Sequence, residues 1–471
     1  MQRFPLAVLE QSPLQNELDQ AFKQRQYVMF KGAVGSGRTL AIATQFQQRP
    51  TSMLWVLENP EQAAYYLNDL EVLLGQTDVL FFPASYRQAY ISEATDNANV
   101  LLRAEVLRKL THSKRPRIIV SYPQALFEKV ISQHTLKKNT LKVEKGTSLG
   151  LDFVNETLFE YGFERVDFVT DPGTFSVRGG IIDVFSYSNQ HPYRIEFFGN
   201  EVDSLRSFDV RTQLSIQQFD QIELIPNTSS VSFTDKRKTL LDLLPPDSRV
   251  LFENIDGCCS RLDDLFQKAQ AQYNAMESTT QFPPEILFCQ RTEWMEALEN
   301  RWVGFFQKPD ILTENKVLHW EQNPQPSFNK QFDVLVAHLN ANHKKGWTNY
   351  LCCSSEQQVK RFHDIFQEMD ETIHYQTLVC PLFEGFEDPK AQIAVFTDHQ
   401  LFNRYHKYRL KSQKTKSDAL TLQELTLMEV GDYVTHMDHG IGRFGGLQHI
   451  DVQGKKQEAI KLIYGERDVL Y

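Results

Sequence analysis

Tyr27-Val28-Met29-Phe30-Lys31-Gly32-Ala33-Val34-Gly35-Ser36-Gly37-Arg38-Thr39-Leu40-Ala41-Ile42-Ala43 is the stretch on which the fold is decided. An apolar, strand-like run leads into a glycine-rich loop, and the loop leads into a helical pattern. That is the context in which G-x-x-x-x-G-K-[ST] cradles a triphosphate. In such a loop the backbone N–H groups and the helix N-terminus hold the phosphates, while a lysine reaches the outer oxygens. Here position 38 is arginine, whose planar fork is bulkier than an ammonium in a tight loop. Gly32, Gly35, Gly37, Arg38 and Thr39 therefore form a degenerate nucleotide loop, either that of an unusual nucleotide hydrolase or the remnant of one.

Outward from this loop the pattern stays α/β. Met53-Leu54-Trp55-Val56-Leu57, Val79-Leu80-Phe81-Phe82 and Arg117-Ile118-Ile119-Val120 read as buried strands, with helical spacing over 61–74 and 99–110. Strands alternating with helices predict a parallel sheet covered on both faces. From about 126 to 215 Gly, Pro and Asp punctuate short alternating runs, which predicts a small, mostly antiparallel domain inserted into the first. A strand at 249–252 and a helix near 262–275 then resume the α/β texture. Asn323-Pro324-Gln325-Pro326-Ser327 marks a boundary.

The expected organisation is thus an α/β multidomain chain. Its first α/β domain comprises 1–125 and 216–322, with the insertion at 126–215. A small α/β spacer domain follows at 323–402, a basic linker at 403–428 and an incomplete, Tudor/CarD-like β-barrel at 429–471. The linker reads as a solvated segment or as a nucleic-acid or polymerase contact. The last residues, Asp468-Val469-Leu470-Tyr471, stand within a strand-like run, so the chain is expected to be part of a longer one.

A chain of 471 residues exceeds a single core. Its formal charge of −10 argues against a surface that grips nucleic acid all over. The N-terminus lacks a signal-peptide core and no apolar run approaches a membrane span, so a cytoplasmic location is expected. Six cysteines lack C-x-x-C spacing and read as buried reduced thiols rather than metal ligands. His436 and His439 read as part of a turn stabilised by Asp438 and Gly440 rather than as a metal site.

Hydrolysis requires a carboxylate at a strand end to hold Mg²⁺ and a group that orients water. No D-E-x-x sequence follows an apolar strand between 40 and 330. Asp69, Glu71, Asp263 and Asp264 fall in helical patterns and read as solvated faces. Arg38 then reads as a surface residue near a helix start, and the loop as inert.

The inserted segment holds the most specific text in the chain. Phe175-Ser176-Val177-Arg178-Gly179-Gly180-Ile181-Ile182-Asp183-Val184-Phe185 is followed by Arg194-Ile195-Glu196-Phe197-Phe198-Gly199-Asn200-Glu201-Val202-Asp203-Ser204-Leu205-Arg206-Ser207-Phe208-Asp209. It closely resembles the UvrA-docking domain shared by UvrB and the transcription-repair coupling factor (Mfd) family. Val430-Gly431-Asp432-Tyr433-Val434-Thr435-His436-Met437-Asp438-His439-Gly440-Ile441-Gly442-Arg443-Phe444 resembles the opening of that family's RNA-polymerase-interacting domain, which UvrB lacks. Ala459-Ile460-Lys461-Leu462-Ile463-Tyr464 fits the same domain. The resemblance implies a repair scaffold that recruits UvrA to stalled RNA polymerase in nucleotide excision repair. It places the ATP- and Mg²⁺-dependent motor, and most DNA contact, C-terminal to this chain. UvrB also carries a lysine loop and a long tyrosine-rich hairpin. Here only Ala84-Ser85-Tyr86-Arg87-Gln88-Ala89-Tyr90 stands between strand and helix, so damage sensing is not expected.

Strand periodicity puts Ile195 and Phe197 on one face and Arg194, Glu196 and Phe198 on the other. Such an Arg/aromatic cluster is hot-spot chemistry. The bland reading is that Phe198 packs under a loop and Arg194 pairs only with Glu196. With the resemblance, Arg194 and Phe198 are expected to contact UvrA. Arg178 joins them, having no evident buried partner, and Arg206 is a further candidate. Ile460, Lys461 and Leu462 are expected to meet the RNA polymerase β subunit through an exposed strand edge, unless Ile460 and Leu462 are barrel core. Two alternatives stand: an ATP-dependent, UvrB-like damaged-DNA-binding enzyme, and a CarD-like transcription regulator that would leave 173–209 unexplained.

Overall fold

The computed structural model describes residues 4–10, 12–23, 27–85, 90, 97–187, 189–226, 237–276, 282–310, 316–369, 372–404, 430–436, 440–452, 455–465 and 468–470. The expected basic linker and the turn at 437–439 lie almost wholly outside these residues. Met1–Tyr408 forms one unit and Arg409–Tyr471 a second.

The first unit is built on a seven-stranded sheet whose paired strands are all parallel. Across it the strands run Lys316–His319, Tyr27–Lys31, Trp302–Phe305, Arg249–Phe252, Met53–Val56, Ile118–Ser121 and Val79–Phe81. Met53–Val56 and Ile118–Ser121 are buried throughout, as befits strands covered on both faces. Helices Gly37–Gln48, Pro60–Leu74, Asn97–His112 and Ile255–Ala275 supply the cover.

Between Ile118–Ser121 and Arg249–Phe252 the chain leaves this sheet. Leu141–Glu144 and Gln221–Leu224 pair antiparallel at the root of the excursion. Beyond them lies a six-stranded sheet in the order Ser215–Gln218, Glu201–Phe208, Tyr193–Phe198, Ile181–Val184, Thr174–Arg178, Glu164–Arg165. All its pairs are antiparallel except the last. Its core joins Phe175, Ile182, Ile195 and Leu205 to Val154 and Leu158 of helix Leu151–Glu160. The excursion's strands occupy 141–224, later at both ends than the expected 126–215. The short helix Pro123–Phe127 packs instead on Ile255–Ala275 of the first domain.

A five-stranded mixed sheet follows, ordered Asn323–Pro324, Phe386–Asp388, Ile393–Thr397, Thr348–Cys353, Gln376–Val379. Its own core includes Leu339, Leu351, Phe362 and Phe396. All six cysteines are buried free thiols.

In the second unit Tyr433–His436, Gly440–Val452, Lys455–Tyr464 and Asp468–Leu470 form a four-stranded antiparallel meander. Its two outer strands are not paired with each other among the described residues, where a closed barrel would pair them.

Candidate functional site

The outer face of the six-stranded sheet gathers the residues predicted to dock a partner. Strand alternation buries Ile195 and turns Arg194, Glu196 and Phe198 outward. Phe198 is 84% exposed, so it does not pack under a loop. Gly199 follows at φ +61°, with nothing near its missing Cβ, and turns the chain into the next strand.

Arg194 does not pair with Glu196. Its Nε and Nη2 donate to the two oxygens of Asp183 at 2.6 and 2.8 Å, and Nη2 also reaches Gln213 at 3.1 Å. Asp183 sits directly across the ladder from Arg194 and is 1% exposed. Arg178 pairs with the same carboxylate, so the expectation that it lacks a buried partner is overturned. Its guanidinium also lies 5.0 Å from the centre of the exposed Phe168 ring, and Arg194 lies 4.5 Å from that of Phe208. Arg206 pairs with Glu196, which also accepts from Ser204 Oγ at 2.6 Å. One buried carboxylate thus aligns two arginines on the sheet face from which Phe198 also projects. The hydrogen bonds to Asp183 hold the Arg194 pKa above its ordinary value, outweighing burial.

The glycine-rich loop is the second place where polar groups converge. Arg38 is not a surface residue: its side chain is 19% exposed and folds back on the loop. Nε donates to the Ala33 carbonyl at 2.9 Å, and Nη1 meets Tyr66 Oη at 3.2 Å and the Glu253 carboxylate. Glu253 directly follows the strand Arg249–Phe252, where a Mg²⁺-binding carboxylate would stand. Here it faces a guanidinium instead. Burial pushes its carboxyl up against the opposing pull of Arg38.

Asp69 is not solvated either. It is 1% exposed, and Oδ2 accepts from Ser36 Oγ at 2.6 Å and Thr39 Oγ1 at 3.0 Å. Its other oxygen accepts from Phe383 N at 2.8 Å. Burial pushes this carboxyl up to about 7, the hydrogen bonds opposing.

Phe383 introduces a segment of the five-stranded unit that lies in the mouth of the loop. Ser36 N donates to the Glu384 carbonyl at 3.1 Å, and Glu384 N donates back to Ser36 Oγ at 3.0 Å. Val34 N donates to Gln322 Oε1 at 3.2 Å. Gly35, at φ +50°, would carry a Cβ only 3.0 Å from that of Glu384. The N–H groups of Val34 and Ser36 thus have protein acceptors, and the seat as folded does not fit a phosphate.

In the meander, Ile460, Lys461 and Leu462 are half-buried on an inner strand. Leu462 pairs with Phe444 on one side and Leu470 on the other, so it does not lie at an exposed edge. Ile460 pairs with Leu447. No group of side chains able to hold a metal occurs among the described residues, and no described helix is long and apolar enough to cross a membrane.

Sequence reasoning missed Glu253, Gln322, Glu384 and the buried setting of Asp69. Glu253 carried a signal, a carboxylate straight after an apolar strand. The others answer to contacts across some 30 to 350 residues of chain.

Residues 141–229 match the model of the UvrB interaction domain, and residues 428–471 that of the CarD-like/TRCF RID domain. Over 97% of its length the chain is similar to curated proteins called transcription-repair-coupling factor. It is 24% identical to that of Bacillus subtilis and 26% identical to that of Staphylococcus epidermidis, each over 535 residues, and 25% identical to that of Staphylococcus haemolyticus over 530. The chain spans 45% of the length of these relatives.

Proposed function

From a chain homologous along nearly all its length to transcription-repair-coupling factors, we propose that this one is a binding scaffold that recruits UvrA to stalled RNA polymerase in nucleotide excision repair. The sheet face of Arg178, Arg194 and Phe198, with Arg206 at its margin, is the UvrA contact. The observation that carries this reading is Phe198, a large aromatic left 84% exposed on the same sheet face as two arginines held by one buried carboxylate. Rigid aromatic and arginine anchors dominate binding energies.

In the same reading the strand Lys455–Tyr464 meets the RNA polymerase β subunit. Lys461 presents its charge there, with its stem laid over Gly445. The chain has no ATPase of its own, because the loop N–H groups that would seat the phosphates are engaged by Glu384 and Gln322. ATP, Mg²⁺ and most DNA contact belong to motor domains in the remaining length of such proteins. The competing reading, an ATP-dependent enzyme like UvrB, needs an open seat.

Capture of purified UvrA by the chain tests the proposal. Wild type binds, and alanine at Arg178, Arg194 and Phe198 together abolishes capture, each single change weakening binding by about 2 kcal/mol. Unchanged capture by the triple variant would sink the assignment.

A further inference from the structure

The parallel sheet places its glycine-rich loop at the C-terminal ends of the strands. At the N-terminal end the strand Arg249–Phe252 begins with an arginine that lines a cavity of about 300 Å³. Phe22, Lys23, Thr51, Asp247 and Trp302 line it too. Arg249 is 9% exposed. Its guanidinium lies 3.9 Å from the centre of the Phe22 ring, and Trp302 meets that ring edge-on at 4.5 Å. The indole N–H of Trp302 is occupied by the Ala21 carbonyl at 3.0 Å, which fixes the wall.

Stacking therefore holds this cation where an ion pair ordinarily would. Among the described residues Arg249 makes no salt bridge, and its buried Nη1 has no hydrogen-bond partner. The nearby carboxylate of Asp19 is taken by Lys23 at 3.1 Å and by Arg49 at 3.0 Å. Burial pushes the Arg249 pKa down to about 10, against the pull of Asp19 and Asp247. A buried donor without a partner carries the full desolvation penalty of its group. Methionine could fill a similar volume without it. A guanidinium N–H that no group of the described residues accepts, at the wall of a cavity, suits an acceptor from outside the chain.

We propose that this cavity binds a small phosphoryl oxyanion, free phosphate or a phosphate monoester, with Arg249 Nη1 as the principal donor. Lys23, which shares the single Asp19 carboxylate with Arg49 and so leaves that cluster a net positive charge, supplies the second cation, and Thr51 a neutral hydroxyl at the rim. Phe22 and Trp302 provide an apolar wall for the body of a monoester. Asp247 on the same lining disfavours polyanions. The site is independent of the docking face and of the glycine-rich loop.

Thermal unfolding of the whole chain in sodium phosphate, against sodium chloride at matched ionic strength, tests this. A ligand that binds only the folded state raises Tm in proportion to ln(1 + [L]/Kd). Wild type should gain Tm in phosphate. Arg249→Met should melt at or above wild type in chloride and lose the gain. A gain equal in both proteins, or none in wild type, overturns the proposal. Should Arg249→Met fail to fold, Lys23→Met decides: a smaller gain than wild type supports the site, and an equal gain refutes it. Glycerol 3-phosphate acting at lower concentration than inorganic phosphate identifies a monoester as ligand, and equal or weaker action identifies free phosphate.

Discussion

Asp183 sets the character of the proposed docking face because it is a single buried carboxylate facing two guanidiniums. Arg194 grips it with two hydrogen bonds and Arg178 with a third. Asp183→Asn keeps the shape but leaves two cations sharing a neutral amide. Breaking a buried pair from one side typically costs about 3 kcal/mol or more, and a loss of that order is expected in urea unfolding. Arg206 and Glu196 pair at half-exposed positions, so Arg206→Ala should change stability by only about 1 kcal/mol or less. Phe198 separates binding from folding. At 84% exposure its ring contributes little to the core, so Phe198→Ala should leave stability within about 0.5 kcal/mol of wild type. The same change should weaken UvrA capture.

At the scale of elements the glycine-rich loop joins the seven-stranded and five-stranded sheets within the first unit. Arginine for lysine at position 38 is not what closes it, because the N–H groups of Val34 and Ser36 already have protein acceptors. Arg38→Lys should therefore restore no binding of ATP–Mg²⁺ in calorimetry, and micromolar affinity in that variant would refute the closed-seat account. The joint is also sensitive to pH through Asp69. Its carboxyl, near 7 when folded against 3.8 otherwise, binds a proton in the native state that the unfolded chain has already lost. Stability from this group is thus full below about pH 4, falls by up to about 1.4 kcal/mol per unit as pH rises toward 7, and is level above. Urea unfolding across that range should show a steeper fall in wild type than in Asp69→Asn, the difference being the Asp69 contribution, because Glu253, whose carboxyl burial also pushes up, titrates in both proteins. Sequence pattern reached the strands and helices around this joint, since apolar runs such as Met53–Val56 report burial directly. It also separated Phe198 from Ile195 by simple alternation. Asp69 was misread as solvated because its helix is buried on the side where Ser36 and Phe383 approach, and no local periodicity records so distant a neighbour. Gln322 and Glu384 were invisible for the same reason.

For the whole molecule, the insertion is not a freely hung module. Its core is shared with the helix Asn97–His112 of the first domain, where Val100 and Ala104 are fully buried in one cluster with Phe175 and Ile195. Leu101 packs against the same cluster. Cutting the chain at the root, where Leu141–Glu144 pairs with Gln221–Leu224, uncovers the surface those side chains occupy. The proposed docking residues lie on the opposite face of the sheet and keep their neighbours, Asp183 included. A fragment of residues 141–226 should therefore bind UvrA as tightly per folded molecule as the whole chain does, yet be less stable. Losing the burial of one valine-sized side chain amounts to about 2 kcal/mol, or roughly 10 °C in Tm for a domain of this size. Calorimetry of fragment and chain measures the difference. In the chain, Val100→Asp should bring the insertion down toward the fragment's stability from outside its own sequence, whereas a fragment melting as high as the whole chain would mean that the two cores are independent.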